Sequence, residues 1–201
     1  MTSPSIGNPC SDALFFKLSI ILSIFSLSED LFVYVNNGTI SNCRAVNGGA
    51  VYVHSNLSTG NTVEAGATFE MVDGEISNCY ASGTGNTSGG GAIFINATAT
   101  ETGNVASIAT FNMSGGEMKT NSSNAMGGAV YSRGKVTMSN DAILNGNTTQ
   151  NTGELLNDKD VYSGFGGAVF LMTETSNFVM NGGTITDCKS ASGGGVMAYT
   201  S

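Results

Sequence analysis

One phrase, written five times, constrains this chain more than anything else in it. It reads Val33-Tyr-Val-Asn-Asn-Gly-Thr-Ile40, Phe69-Glu-Met-Val-Asp-Gly-Glu-Ile76 and Phe111-Asn-Met-Ser-Gly-Gly-Glu-Met118, then Val136-Thr-Met-Ser-Asn-Asp-Ala-Ile143 and Phe178-Val-Met-Asn-Gly-Gly-Thr-Ile185. Each copy is followed by a second phrase: Gly48-Gly-Ala-Val51, Gly90-Gly-Ala-Ile93, Gly127-Gly-Ala-Val130, Gly166-Gly-Ala-Val169 and Gly194-Gly-Val-Met197. Self-similarity of this kind marks a stacked architecture, because one unit cannot bury its own apolar face and must use its neighbours.

Within the first phrase apolar and polar residues alternate, and a period of two means strand. A turn of Gly, Asn or Asp follows, residues that tolerate left-handed backbone. A second short strand then surrounds Ile76, and a third contains Ala50 to Val53. The expected fold is therefore all-β, a right-handed parallel β-helix over residues 29–201, with about five coils and three short strands per coil. Stacked coils lie ~4.8 Å apart, so like residues fall above like. One interior column holds Phe69, Phe111 and Phe178 with Val33 and Val136. A second holds Met71, Met113, Met138 and Met180 with Val35, and a third holds Ile40, Ile76, Ile143 and Ile185 with Met118. Each such burial is worth roughly 1.5–3 kcal/mol, against backbone ordering of ~1–2 kcal/mol per residue. Much of the remaining stability must come from ladder hydrogen bonds, and five coils alone should be marginally stable.

The third strand offers two regular faces. Val51 and Val53 share one; Tyr52, Phe94, Tyr131 and Phe170 line the other. The aliphatic face is expected inward and the aromatic one outward as a half-exposed stripe. Insertions fall after the third strand (54–68, 96–110, 172–177) and in the link before it (80–88, 147–164). Their Thr, Asn, Ser and Gly content is that of surface loops.

Composition narrows the function. Both prolines precede the tenth residue, which suits a chain that pairs its backbone along most of its length. A net charge of -8 with seven basic residues excludes nucleic acid, whose phosphates need clustered Lys and Arg. No stretch within the repeats is apolar enough to span a membrane. Upstream, Leu14 to Leu27 is the most hydrophobic segment; residues 1–28 read as a leader, either a secretory signal cut near Glu29 or a cap on the first coil. No CxxC pair and no GxxxxGK[ST] occurs, so neither a metal nor a nucleotide cofactor is expected.

The GGA[VI] tetrapeptide resembles the repeat of the polymorphic outer membrane proteins, surface adhesins with an autotransporter-like β-helical passenger. Their Phe-x-x-Asn partner motif appears at Phe178-Val-Met-Asn181, while the other copies resemble the F-x-M-x-G-G-x-I repeats of large bacterial and protist surface proteins. The resemblance covers residues 33–199. It implies adhesion, to a host-cell, glycan or protein partner, and a secreted or cell-surface location, the outer membrane if the source is bacterial. Because the repeats run to the last residues, the final coil is expected either to continue in a longer surface protein or to offer an open edge for self-association.

Singular chemistry is sparse. Cys43, Cys79 and Cys188 each lie three residues after the Ile of the first phrase, with Asn121 and Gly146 in the same slot elsewhere. The slot reads first as a small buried residue. A Cys43–Cys79 disulfide is the other reading, since stacked neighbours are within bridging range. His54 is the single histidine and reads as a surface residue. Asp73, Glu75, Glu117, Asp141 and Asp187 are scattered, and the NTD, DD, GHG and RIK motifs of polygalacturonases do not occur. No catalytic residue is assigned, and the chain is expected not to be an enzyme. The rival expectation, a polysaccharide lyase or hydrolase, rests on the many enzymes built on pectin-lyase-like solenoids. Asn-x-Ser/Thr sequons stand at Asn37, Asn56, Asn86, Asn96, Asn112, Asn121 and Asn147.

Overall fold

A computed structural model describes residues 31–55, 66–85, 87–97, 108–150, 164–173 and 176–199. The leader, most of the loop insertions, and Asp158 and Asp160 within the 147–164 insertion lie outside the described residues. Within them every regular element is a strand, and no helix is long and apolar enough to cross a membrane.

The strands form four parallel sheets, each running along the stack in chain order. Sheet I contains Leu31–Val35, Gly66–Met71, Ile108–Met113, Lys135–Met138 and Asn177–Met180. Sheet II contains Gly38–Ser41, Gly74–Ser77, Glu117–Lys119, Ile143–Asn145 and Thr184–Thr186. Sheet IV contains Val51–Ser55, Ile93–Ala97, Val130–Ser132, Val169–Leu171 and Val196–Ala198. These are the three expected strands of each coil. Between sheets II and IV the link adds a fourth pairing, sheet III, of two-residue strands: Arg44–Ala45, Tyr80–Ala81, Ser122–Ser123 and Thr148–Thr149. The result is the parallel β-helix of about five coils that the repeats dictate.

Two interior columns stack as the sequence requires. Val33, Phe69, Phe111, Val136 and Phe178 are register partners in turn, as are Val35, Met71, Met113, Met138 and Met180. Phe69 and Phe111 stack at 5.4 Å between centroids, and both are buried with Met71, Met113 and Met138. The outermost coils are less enclosed: Val33 and Met180 are exposed, and Phe178 is half-buried.

The third column differs at one place. Ile40, Ile76, Met118 and Ile185 share it, but its fourth member is Leu144 and not Ile143. In the fourth copy the turn after Met138 holds one more residue than in the others. Asn140 takes a left-handed φ of 51°, and Ala142 N–H donates to Ser139 O at 3.2 Å, closing the longer turn. With a side-chain period of two, that single residue turns Ile143 outward and Leu144 inward.

A similar slip occurs at the end of the chain's fifth copy. Val196 pairs with Val169, so Gly195 takes the alanine slot and the glycine pair is Gly193-Gly194. The pair does two different jobs. The first glycine is left-handed in every copy, for example φ 64° at Gly127. The second is packed so tightly that a Cβ on Gly128 would run into the carbonyl oxygen of Gly167 on the next coil.

Candidate functional site

The interior slot that holds the cysteines is a polar ladder. It runs Cys43, Cys79, Asn121, Asn147, Cys188. Asn147, not Gly146, fills the fourth place, because the extra turn residue shifts everything after it. Gly146 instead joins the left-handed corner of Asn42, Asn78, Thr120 and Asp187. The ladder satisfies itself. Asn121 Nδ2 donates to Ile76 O and to Asn147 Oδ1, while its Oδ1 accepts from Cys79 N–H at 2.9 Å. Asn147 Oδ1 also accepts from Asn121 N–H, and its Nδ2 donates to Met118 O. Cys43 and Cys79 lie on adjacent coils, with their sulfurs 3.4 Å from Ser41 O and 3.3 Å from Ser77 O. Burial raises the pKa of the Cys188 thiol. Bonded throughout its buried centre at Cys79, Asn121 and Asn147, this ladder is a structural device.

On the outside of sheet II the stack gathers what the sequence scatters. Asp73, Glu75, Glu117 and Asp141 line one shallow groove of about 500 Å3, with Asn37, Thr39 and Ile143. Two of these carboxylates share a cation. Lys119 Nζ lies 2.7 Å from Glu75 Oε2 and 3.3 Å from Glu117 Oε2. The hydrogen bond from Lys119, aided by Ser77, holds the Glu75 carboxyl below the usual carboxylate range. Acid–base hydrolysis needs one carboxyl raised so that it arrives protonated, and Glu75 is moved the opposite way. Among the described residues no group of three or more His, Cys, Asp or Glu is placed to hold a metal ion.

The outer face of sheet IV departs from the expectation of a half-exposed stripe. Val53, Ile93, Ile95, Val130, Val169 and Leu171 do point into the main core. The aromatics on the other face, however, are enclosed as well. Phe94, Tyr131 and Phe170 are buried and form a second core with Ala125 and Met126; Tyr52 alone in that column is exposed, at 49%. Tyr52 stacks on Phe94 at 5.1 Å and Phe94 on Tyr131 at 4.4 Å, while Phe170 lies 5.5 Å from Tyr131 with its ring tilted by 36°. The segment before each glycine pair folds alongside, so that Met126 bridges Gly89 and Phe165 and walls the column laterally.

Polar residues follow the aromatics on the same face, two positions on. His54 and Asn96 are register partners, and Asn96 Nδ2 donates to His54 Nδ1 at 3.0 Å and to Tyr52 OH at 3.1 Å. Arg133 occupies the next coil, its N–H bonded to Ile95 O. His54 is on the surface, as expected. Among the described residues four buried side-chain polar atoms lack a hydrogen-bond partner, and three belong to this face: Asn96 Oδ1, Tyr131 OH and Arg133 Nε. Burial pushes the Tyr131 hydroxyl pKa up, tempered by the charge of the neighbouring Arg133 side chain and by a hydrogen bond with it, so these two groups answer each other more than the strict bond geometry suggests. No acidic residue lies in any strand of sheet IV.

Sequence reasoning missed Lys119 and Asn96 as members of any site, and it weighed Arg133 only as the arginine of a lyase-like site, without its present neighbours. Each occurs once at its slot, and only the register of the coils brings them to their neighbours. Comparison with protein-family models, curated proteins and solved structures gives no match.

Proposed function

We propose that the chain is a non-enzymatic scaffold of the extracellular space or cell surface, adhesin-like, presenting loops and an outer face of its β-helix to a host-cell, glycan or protein partner. The observation carrying this reading is the closed interior. Apolar columns stack on themselves and the Asn121–Asn147 ladder consumes its own donors, so distinctive chemistry is left on the outside. Repetition of the same solution coil after coil fits display along a length better than catalysis at a point. The test is a screen of the purified, folded protein against cultured cells and a glycan array. Retention on cells or on a class of glycans is expected; a well-folded stack that binds neither would sink the reading.

The groove on sheet II favours a second reading, a polysaccharide hydrolase or lyase, because it brings four carboxylates together. Against it stands Lys119, which neutralises two of them and keeps Glu75 ionised. Turnover of polyuronates with calcium present, abolished by Asp141→Ala, would replace the scaffold reading with this one. Absence of turnover in the unmodified protein retires it.

A further inference from the structure

An open strand edge is a template for another chain, and soluble proteins usually blunt it with charge, proline or a cover. In this stack the charge is distributed the other way round. The strands of the three middle coils carry Glu70, Glu75, Glu117, Lys119 and Lys135, where neighbours on both sides already pair the backbone. The strands of the two end coils carry one full charge, Arg44, and its guanidinium is drawn back over the Tyr80 ring of the second coil at 4.5 Å. Among the described residues neither end coil has a strand on its outer side. Apolar surface collects at the same two places. Among the described residues, eight of the ten exposed large hydrophobics lie on the end coils, Leu31 at 66% and Met180 at 45% among them.

The two ends also match each other. A copy of the first coil set beneath the fifth would bring Val33 to Phe178, Val35 to Met180 and Ile40 to Ile185, with every strand still parallel. The step from Phe178 to Val33 repeats the step from Phe111 to Val136 that the interior already makes. Sheets I, II and IV would each gain the next strand in their existing order. Lys189, which bridges to Thr148, would come under Arg44. The withdrawal of Arg44 onto Tyr80 and the carboxylate of Asp187 beside the join temper that one mismatch. Only a head-to-tail join achieves this fit. Turning one copy over to bring like ends together reverses its strands, and the columns lose their register.

We propose that the chain stacks on copies of itself head to tail, the fifth coil of one seated on the first coil of the next, so that the apolar columns and the sheets run through the join. Such a contact is heterologous, and repeated without closure it gives an open filament. Neither the loops nor the outer faces enter the join, so this assembly and the scaffold reading stand or fall separately.

The experiment is sedimentation velocity on the full chain over about a hundredfold range of concentration, where single chains should give way to dimers and longer rods. Two variants test the geometry. Val33→Lys charges the first coil's end and Met180→Lys the fifth's; both positions are already exposed, at 43% and 45%, so each variant should keep the circular dichroism of the original. Each alone should associate at least about tenfold more weakly. Mixed in equal amounts they should form dimers and stop there, because one intact end of each kind remains and the two lysine-bearing ends repel. Association that persists in either variant alone, or a mixture that yields no dimer, overturns the head-to-tail join. A chain that stays single at every concentration overturns it as well, and points to the chain's own residues 1–30 as the occupant of the first coil.

Discussion

Asn121 ties three successive coils together through one side chain. Its amide accepts from Cys79 N–H and donates to Ile76 O and Asn147 Oδ1, all buried. Asn121→Ala strands an N–H and a carbonyl and leaves a hole, so we expect a loss of about 3–5 kcal/mol in urea unfolding. Asn121→Cys restores the residue found in the same slot at Cys79 and fills more of the space, and should cost less. The groove on sheet II makes a pH prediction. Glu75 has a folded pKa below its unfolded one, so its contribution is fully present above the unfolded value and is lost as pH falls through the folded value. Melting curves from pH 6 to pH 2 should show a small acid-side loss that Glu75→Gln removes; an unchanged slope would rule out this ion pair as its source. Single residues also mark where sequence reading failed. Ile143 and Leu144 are both apolar and adjacent, so composition could not say which faces inward. One added turn residue decided it, and the error carried on to place Gly146 where Asn147 belongs.

At the scale of strands and turns, the glycine pairs explain why the phrase is so constant. The first glycine of each pair supplies a left-handed corner, and the second lets successive coils touch backbone to backbone. Gly128→Ala puts a methyl group against fixed backbone atoms of Gly167 and Thr148, with no flexible side chain to yield. It should destabilise by about 4 kcal/mol or more, read as a fall in the urea midpoint. A loss under about 1 kcal/mol would mean that the coils can separate at this corner. The sheets themselves were legible, because period-two alternation and glycine punctuation are local signals. The fate of the aromatic stripe was not. Strands of sheet IV carry apolar residues on both faces, a pattern that fits one core and a wet stripe as well as two cores. Met126 and Phe165, which wall the second core, sit just before the glycine pair in positions with no counterpart elsewhere in the coil.

For the molecule as a whole, stability should be graded along its axis. The central coils contribute nearly all of the fully buried residues, whereas Leu31, Phe32 and Val33 on the first coil and Val179, Met180 and Val196 on the fifth are exposed. A quasi-one-dimensional stack of this kind frays from its less enclosed coils. Amide hydrogen exchange should therefore be slowest at Met71, Met113 and Val130, and faster by orders of magnitude at Val33 and Val179. Uniform protection would argue for a single cooperative unit instead. The architecture was readable from repetition alone, but the two surface clusters were not. Their members, such as His54, Asn96 and Arg133, are unlike one another and far apart in sequence, and they become neighbours only when the coils are wound in register. The close-packed second glycines carry one last implication. Because main chain rests on main chain there, that edge sets the rise of every turn of the solenoid regardless of the side chains chosen around it. It works as a spine. Segments hung from the other corners are free to lengthen, shorten or be exchanged, and swapping them between turns is a route to new recognition without redesigning the barrel beneath.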